Sequence, residues 1–428
     1  MISLSSTFKG NSPNERTYPP SPTAAYLHIP FCRRRCYYCD FPIVVVGDRP
    51  PLARQGQPSY GVIDQYLPVL QQEIRATPSL GTPLKTVFFG GGTPSLLTAE
   101  QLKALMDTLD HQFGLEPDAE CSIEIDPDTI KPQQLAGYID AGINRISLGV
   151  QAFQPKLLAA CGRTHSPDDI DVAVGLIRQM GVTNLSLDLI SGLPNQTMDQ
   201  WIESLERAIA LEPTHISVYD LIVEPMTAFA RWYEPGQSPL PSDELTAEMY
   251  RTTSNLLAQA GFEHYEISNY AKPGYPCQHN RVYWENRPYY GFGLGAASFI
   301  HGHRFTRPRK RQAYEEWVQG LTETRVIQQV QTMGDRLLDT LMLGLRLAEG
   351  IDLTVIAADF GDAILNRLLS VVAPFQEQGW VAVDAPKEGK EAQAQHLRLT
   401  DPEGFLFSNV VLSTLFEAFM DEDSVLRA

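Results

Sequence analysis

From residue 24 onward the chain alternates between two textures. Short runs rich in apolar and β-branched residues, "AAYLHIPF", "KTVFFGGG", "ECSIEIDP", "RISLGVQ", "LSLDLISGLP" and "THISVYDLIV", are each followed by a longer stretch with helical spacing. Several runs carry apolar residues on both faces, as strands do in a parallel sheet covered by helices. In "LTAEQLKALMDTLDHQF", Leu102, Leu105, Met106 and Leu109 make one helical stripe, and Thr98 with Gln101 has the spacing of a capping box. Thr197 with Gln200 repeats that box, and Ser166 before Pro167 predicts another helix start. Six β/α units in succession predict an α/β fold, a parallel barrel or an open sheet, with its chemistry at the C-terminal ends of the strands.

Polar residues gather at those ends. Gly90 to Ser95 reads "GGGTPS", and further along come Glu124 and Asp126, then Gln151, Asp188, and Tyr219 with Asp220. They are expected to converge on one pocket. Near residue 334 the texture changes to "GDRLLDTLMLGLRLAEG", and later to strand-like runs on either side of the charged "PKEGKEAQAQ" before a last apolar stretch. Helices, two short strands and a final helix predict a small winged-helix-like domain. The expected organisation is a disordered Ser-, Asn- and Pro-rich lead-in over 1–23, a barrel with its loops over 24–325, and the smaller domain over 326–428.

Charge narrows the partners. The 51 acidic and 34 basic residues leave a net charge of −17, spread along the chain, which argues against a nucleic-acid partner. "RFTRPRKR", Arg304 to Arg311, is one local basic run, and its plain reading is a solvated loop. There is no apolar run long enough to span a bilayer and no secretory leader, so a cytoplasmic, reducing location is expected. There, clustered cysteines hold metal more often than disulfides.

Three of the six cysteines, Cys32, Cys36 and Cys39, fall in "YLHIPFCRRRCYYCDF" directly after the first predicted strand. A structural zinc site is closed by four ligands, and Cys121, Cys161 and Cys277 have no comparable neighbours. A 4Fe-4S cluster on three thiolates leaves one iron open to a small molecule, and the predicted barrel behind the loop favours this over zinc. Arg33, Arg34 and Arg35 would offset the negative charge of such a group. Tyr38 would shield it or pack on a bound adenine. "PIVVVGDRPPLARQGQPSYG", just after the cysteines, reads as a mobile loop or a surface insertion.

"YLHIPFCRRRCYYCDF" followed by "GGGTPS" resembles the radical S-adenosylmethionine superfamily, within it the family of oxygen-independent coproporphyrinogen III oxidases and related heme chaperones. The resemblance covers nearly all of the chain after residue 24. It implies a partial (β/α)6 barrel of the TIM type, a 4Fe-4S cluster on Cys32, Cys36 and Cys39, and S-adenosylmethionine on the fourth iron. Tyr26, Glu124, Gln151, Arg163 and Asp188 match positions that bind it in the related oxidase, which holds a second such molecule as well, and Gly91, Gly92 and Thr93 match the segment that meets its methionine amino group.

Two departures separate the branches. The oxidase has a further cysteine where this chain has Phe41, and a long segment ahead of the cluster where here the first ligand is residue 32. "HNRVYW", His279 to Trp284, matches the motif of the heme-chaperone branch. The expected function is binding heme and passing it to an acceptor protein. His279 is the first candidate heme ligand and Cys277 the second, with His301 and His303 nearby in "YYGFGLGAASFIHGHRF". Coproporphyrinogen oxidation and radical chemistry on another substrate stay open at this point, as do peripheral membrane contact and the choice between monomer and homodimer.

Overall fold

The computed structural model describes residues 21–48, 61–321, 332–384 and 395–420. Most of the expected lead-in, the boundary near 325, part of the segment after the cysteines and most of "PKEGKEAQAQ" lie outside them.

All six predicted runs are strands: Ala24–Ile29 (β1), Leu84–Gly91 (β2), Leu115–Ile125 (β3), Arg145–Gln151 (β4), Asn184–Ser191 (β5) and His215–Asp220 (β6). They pair in parallel, in chain order, as a partial (β/α)6 barrel. Three short strands extend the sheet: Glu263–Glu266 (β7), Asn269–Ala271 (β8) and Tyr290–Phe292 (β9). The order is β9-β1-β2-β3-β4-β5-β6-β8-β7, with β9 parallel to β1 and β8 antiparallel to β6 and β7. The ends of the sheet do not meet, so the barrel stays open.

The three helix starts that the sequence predicts are found. Ala99–Phe113 starts with a full Thr98/Gln101 capping box, and Met198–Ala210 with Thr197/Gln200. Pro167–Gln179 also has a capping box, between Ser166 and Asp169. Such boxes satisfy two of the amide groups that a helix start leaves unpaired. The stripe of Leu102, Leu105, Met106 and Leu109 is buried against the sheet.

The β9 edge is locked by buried polar contacts. Glu73, on helix Gly61–Ala76, accepts from Arg307 Nε at 2.7 Å, from the Gly293 amide at 2.8 Å and from the Tyr314 hydroxyl at 2.6 Å. Tyr66, on the same helix, donates to the His28 carbonyl at 2.9 Å and accepts from the Leu294 amide at 3.1 Å. These contacts hold β9 in place beside β1, the strand that feeds the cysteine loop.

The C-terminal part has its own core, with Leu341, Ile356, Leu368, Val372, Leu397 and Leu415 at its centre. Helices Met333–Gly344, Leu353–Phe360, Asp362–Glu377 and Ser408–Phe419 surround a three-stranded antiparallel sheet with His396–Leu399 in the middle, the helix-and-wing composition expected. Arg251 to Glu403 at 2.6 Å and Ser254 to Asp401 at 2.9 Å join it to the barrel. Among the described residues no helix is long and apolar enough to cross a membrane.

Candidate functional site

The cysteine loop leaves β1 and is pinned at both ends. Phe31–Cys32 pairs in parallel with Val44–Val45, so residues 33–43 form a bounded loop over the strand ends. The Arg35 guanidinium donates to the carbonyls of Cys39 and Phe41 at 3.0 and 3.2 Å. Arg33 reaches Asp128 at 3.4 Å, and Arg34 makes a two-pronged contact with Asp48 at 3.1 and 2.6 Å. The three loop arginines therefore brace the loop and its neighbours. The guanidinium that does reach a thiol is that of Arg163, with Nη1 3.6 Å from Cys36 Sγ; the same side chain pairs with Asp126 and donates to the Gly149 carbonyl at 2.9 Å.

The glycine run closes against this loop. Gly91 has φ +113, and a Cβ there would lie 2.4 Å from His28 Nδ1. A Cβ on Gly92 would lie 2.7 Å from the Phe31 carbonyl oxygen. Only glycine lets the backbone approach so closely. The Gly91 amide donates to Glu124 at 3.0 Å, and the Gly92 and Thr93 amides donate to the Ile29 and Phe31 carbonyls at 2.9 and 2.7 Å.

A cleft of about 350 Å³ opens over the strand ends, within the size range of small-molecule sites. Cys32, Cys36, Cys39 and Tyr38 border it from the loop. Gly91, Gly92, Thr93, Glu124, Gln151, Arg163 and Asp188 border it from the barrel. Gln151 takes a left-handed φ of 65°, a cost that residues at functional sites often carry. Asp188 is fixed by Ser147 at 2.8 Å and Ser186 at 3.1 Å, while burial pushes its carboxyl up. Burial, and then the nearby Asp188, raise Glu124 to about 8. The two carboxyls thus point at the cleft with opposite hydrogen-bonding habits at neutral pH: Glu124 protonated and able to donate, Asp188 held as an acceptor by its serines.

Beneath the cleft lies a second chamber of about 220 Å³, sharing Phe41, Gly91, Glu124, Ser147, Asp188 and Tyr219 with it. Tyr26 and His279 border this chamber. His279 is 1% exposed and has both ring nitrogens engaged, Nδ1 with Thr86 at 2.8 Å and Nε2 with Tyr283 at 2.8 Å. Burial and the charge of Arg145 lower it to about 3, so the imidazole is neutral. Cys277 is buried near Glu120, 3.7 Å from its carboxylate, and borders neither cavity. His301 sits exposed between the hairpin strands Ala297–Ile300 and His303–Thr306, and neither His301 nor His303 borders the cavities.

Arg145 borders the chamber too, and the motif reading passed over it. The signal is in "RISLGVQ": Arg145, Ser147 and Gly149 alternate with Ile146, Leu148 and Val150, so one side of β4 carries the polar positions. The same alternation places Ser186 and Asp188 on β5 and His215 and Ser217 on β6 inside the barrel.

The donor set suits the expected group. The three thiols are not in disulfides, border one cleft, and have no further cysteine beside them in its lining. Cys161 packs behind the loop with Ala152, Leu157 and Ile190. Among the described residues no three His, Cys, Asp or Glu side chains gather closely enough to grip a single metal ion. The thiols border a space wide enough for a group of several atoms.

Residues 26–208 match the radical SAM superfamily, and residues 332–407 match the HemN C-terminal domain. Over 415 residues the chain is 46% identical to the heme chaperone HemW of Synechocystis sp., a match spanning 94% of this chain and 98% of that protein. The chain belongs to the HemW family. The heme chaperone HemW of Bacillus subtilis is 37% identical over 361 residues, 84% of this chain and 92% of that protein. Among solved structures, the coproporphyrinogen III oxidase HemN of Escherichia coli, a radical SAM enzyme, superposes with a TM-score of 0.75 and 26% identity, over 93% of this chain and 91% of that one. HemW-family membership agrees with the branch expected from Phe41 and "HNRVYW".

Proposed function

We propose that this protein binds heme and hands it to an acceptor protein in the cytoplasm, with a 4Fe-4S cluster on Cys32, Cys36 and Cys39 and S-adenosylmethionine in the adjoining cleft. The observation that carries the reading is the end-to-end match, at 46% identity, to a protein named as a heme chaperone, against 26% for the oxidase. When bound, the cluster and S-adenosylmethionine supply redox chemistry and a regulatory ligand.

The chain's own residues have plain tasks. Gly91 and Gly92 let the backbone come close to a bound molecule, and Glu124 and Asp188 suit a hydroxyl-rich ribose, with one able to donate and the other to accept. Arg163 offsets negative charge next to Cys36. Tyr38 separates the thiols from the apolar packing around Cys161.

Phe41 supports the chaperone reading. It stands where the oxidase has its additional cysteine, and it is 52% exposed at the cleft edge, a place for an apolar cargo. The test is anaerobic incubation of cluster-loaded protein with S-adenosylmethionine, a reductant and coproporphyrinogen III. No decarboxylated product is expected above a cluster-free control, and catalytic turnover to product would transfer the assignment to the oxidase.

A further inference from the structure

We propose that the inner chamber receives one propionate carboxylate of heme, paired with the Arg145 guanidinium, while the macrocycle rests on the exposed apolar rim at the mouth. This rests on the heme-binding reading above and adds where the cargo sits and which way round.

Arg145 is 2% exposed and borders the chamber, yet its Nε has no hydrogen-bond partner. Among the described residues its side chain makes no ion pair. Glu120 and Asp188 favour its charged form from a distance without pairing with it directly, so its hydrogen-bonding edge stays open to an anion that arrives with a ligand. A planar guanidinium recognises a carboxylate through two parallel hydrogen bonds.

The other titratable groups on the chamber wall make no direct ion pair with it, although Asp188 favours its charged form. Glu124 is protonated at neutral pH, His279 is neutral, and burial keeps Tyr26 and Tyr283 as phenols. The Asp188 carboxylate is already engaged by two serines. Tyr26, Phe88 and Tyr283 supply an aromatic lining.

Size and surface agree with a side arm going in and a ring staying out. The chamber, at about 220 Å³, is too small for a porphyrin and ample for a propionate. At its mouth Phe41 is 52% and Tyr219 45% exposed, and Ile222, 66% exposed, borders the adjoining cleft. A flat apolar ring covering these side chains removes their surface from water.

The test compares heme with its dimethyl ester, which has the same ring and no carboxylate, titrated in the same mild detergent into cluster- and S-adenosylmethionine-loaded protein. Wild type is expected to hold heme at least about ten-fold tighter than the ester. Arg145→Gln should bring heme down to the level of the ester while leaving the ester unchanged, and Arg145→Lys should keep part of the difference. Equal affinity of wild type for the two ligands overturns the proposal without any mutant, as does an Arg145→Gln variant that weakens both alike. Wild type that binds neither ligand refutes the heme-binding reading itself, and the proposal with it.

Discussion

Arg163 holds its guanidinium between the Cys36 thiol, 3.6 Å away, and the carboxylate of Asp126. It reaches there from the connection after β4, so one side chain ties the cysteine loop to the C-terminal ends of β3 and β4. Hydrogen bonds to charged groups contribute about 1.5–3 kcal/mol. Arg163→Met is therefore expected to weaken S-adenosylmethionine binding by about ten-fold or more, and to lower the cluster absorbance retained after gel filtration. Calorimetry beside the visible spectrum checks both, and unchanged values would remove Arg163 from the site.

Replacing Cys32, Cys36 or Cys39 by Ala is expected to abolish the absorbance of anaerobically reconstituted cluster in each case. Cys161→Ala is the stringent control. Cys161 sits just behind the loop, its carbonyl accepting from the Tyr37 amide at 3.0 Å, but its side chain faces the Ile190 packing. It should keep full cluster content, as should Cys121→Ala. Loss of cluster in either control would contradict a three-thiolate site.

Glu124 gives a pH signature. Its folded-state carboxyl titrates at about 8, far above an ordinary glutamate. Between the usual carboxylate range and about 8 the folded protein then binds more protons than the unfolded chain, so this group makes stability fall as pH rises across that window. Glu124→Gln removes the penalty. Its Tm relative to wild type, in ligand-free protein, should rise by a few degrees from pH 5 to pH 8, while S-adenosylmethionine affinity drops. A pH-independent Tm difference would mean that Glu124 is ionised in the folded state.

Glu73 predicts the stability of the barrel edge. Its carboxylate is fully buried and joined to Arg307, Tyr314 and the Gly293 amide. Removing one partner of such a pair strands the other, at a cost of about 3–5 kcal/mol. Glu73→Ala should show that loss in denaturant titration. Glu73→Ala with Arg307→Met should recover part of it, because the stranded charge is gone. A double variant less stable than Glu73→Ala would contradict this account.

Much of this fold was legible because its signals are long or chemical. The six strands have apolar runs and the capping boxes have fixed spacing, so both survive without tertiary context. Strands β7, β8 and β9 span four, three and three residues, too short for any period to show, and they exist because Glu73 and Tyr66 hold one edge and β6 templates the other. The cysteines, the glycine run and Glu124 through Asp188 announced one pocket, and they border one cleft. His279 is beside that cleft with both nitrogens occupied, a fact only packing reveals. Arg145 was hidden in plain alternation, one polar residue in a strand whose role depends on what faces it across the barrel.

The most direct measurement is a heme titration of purified, cluster-loaded protein followed by its visible spectrum. Saturation at about one heme per chain, with a spectrum distinct from free heme and from heme on an unrelated protein, is the predicted result. A linear, non-saturating response that matches the unrelated protein would contradict the central claim that this chain carries heme.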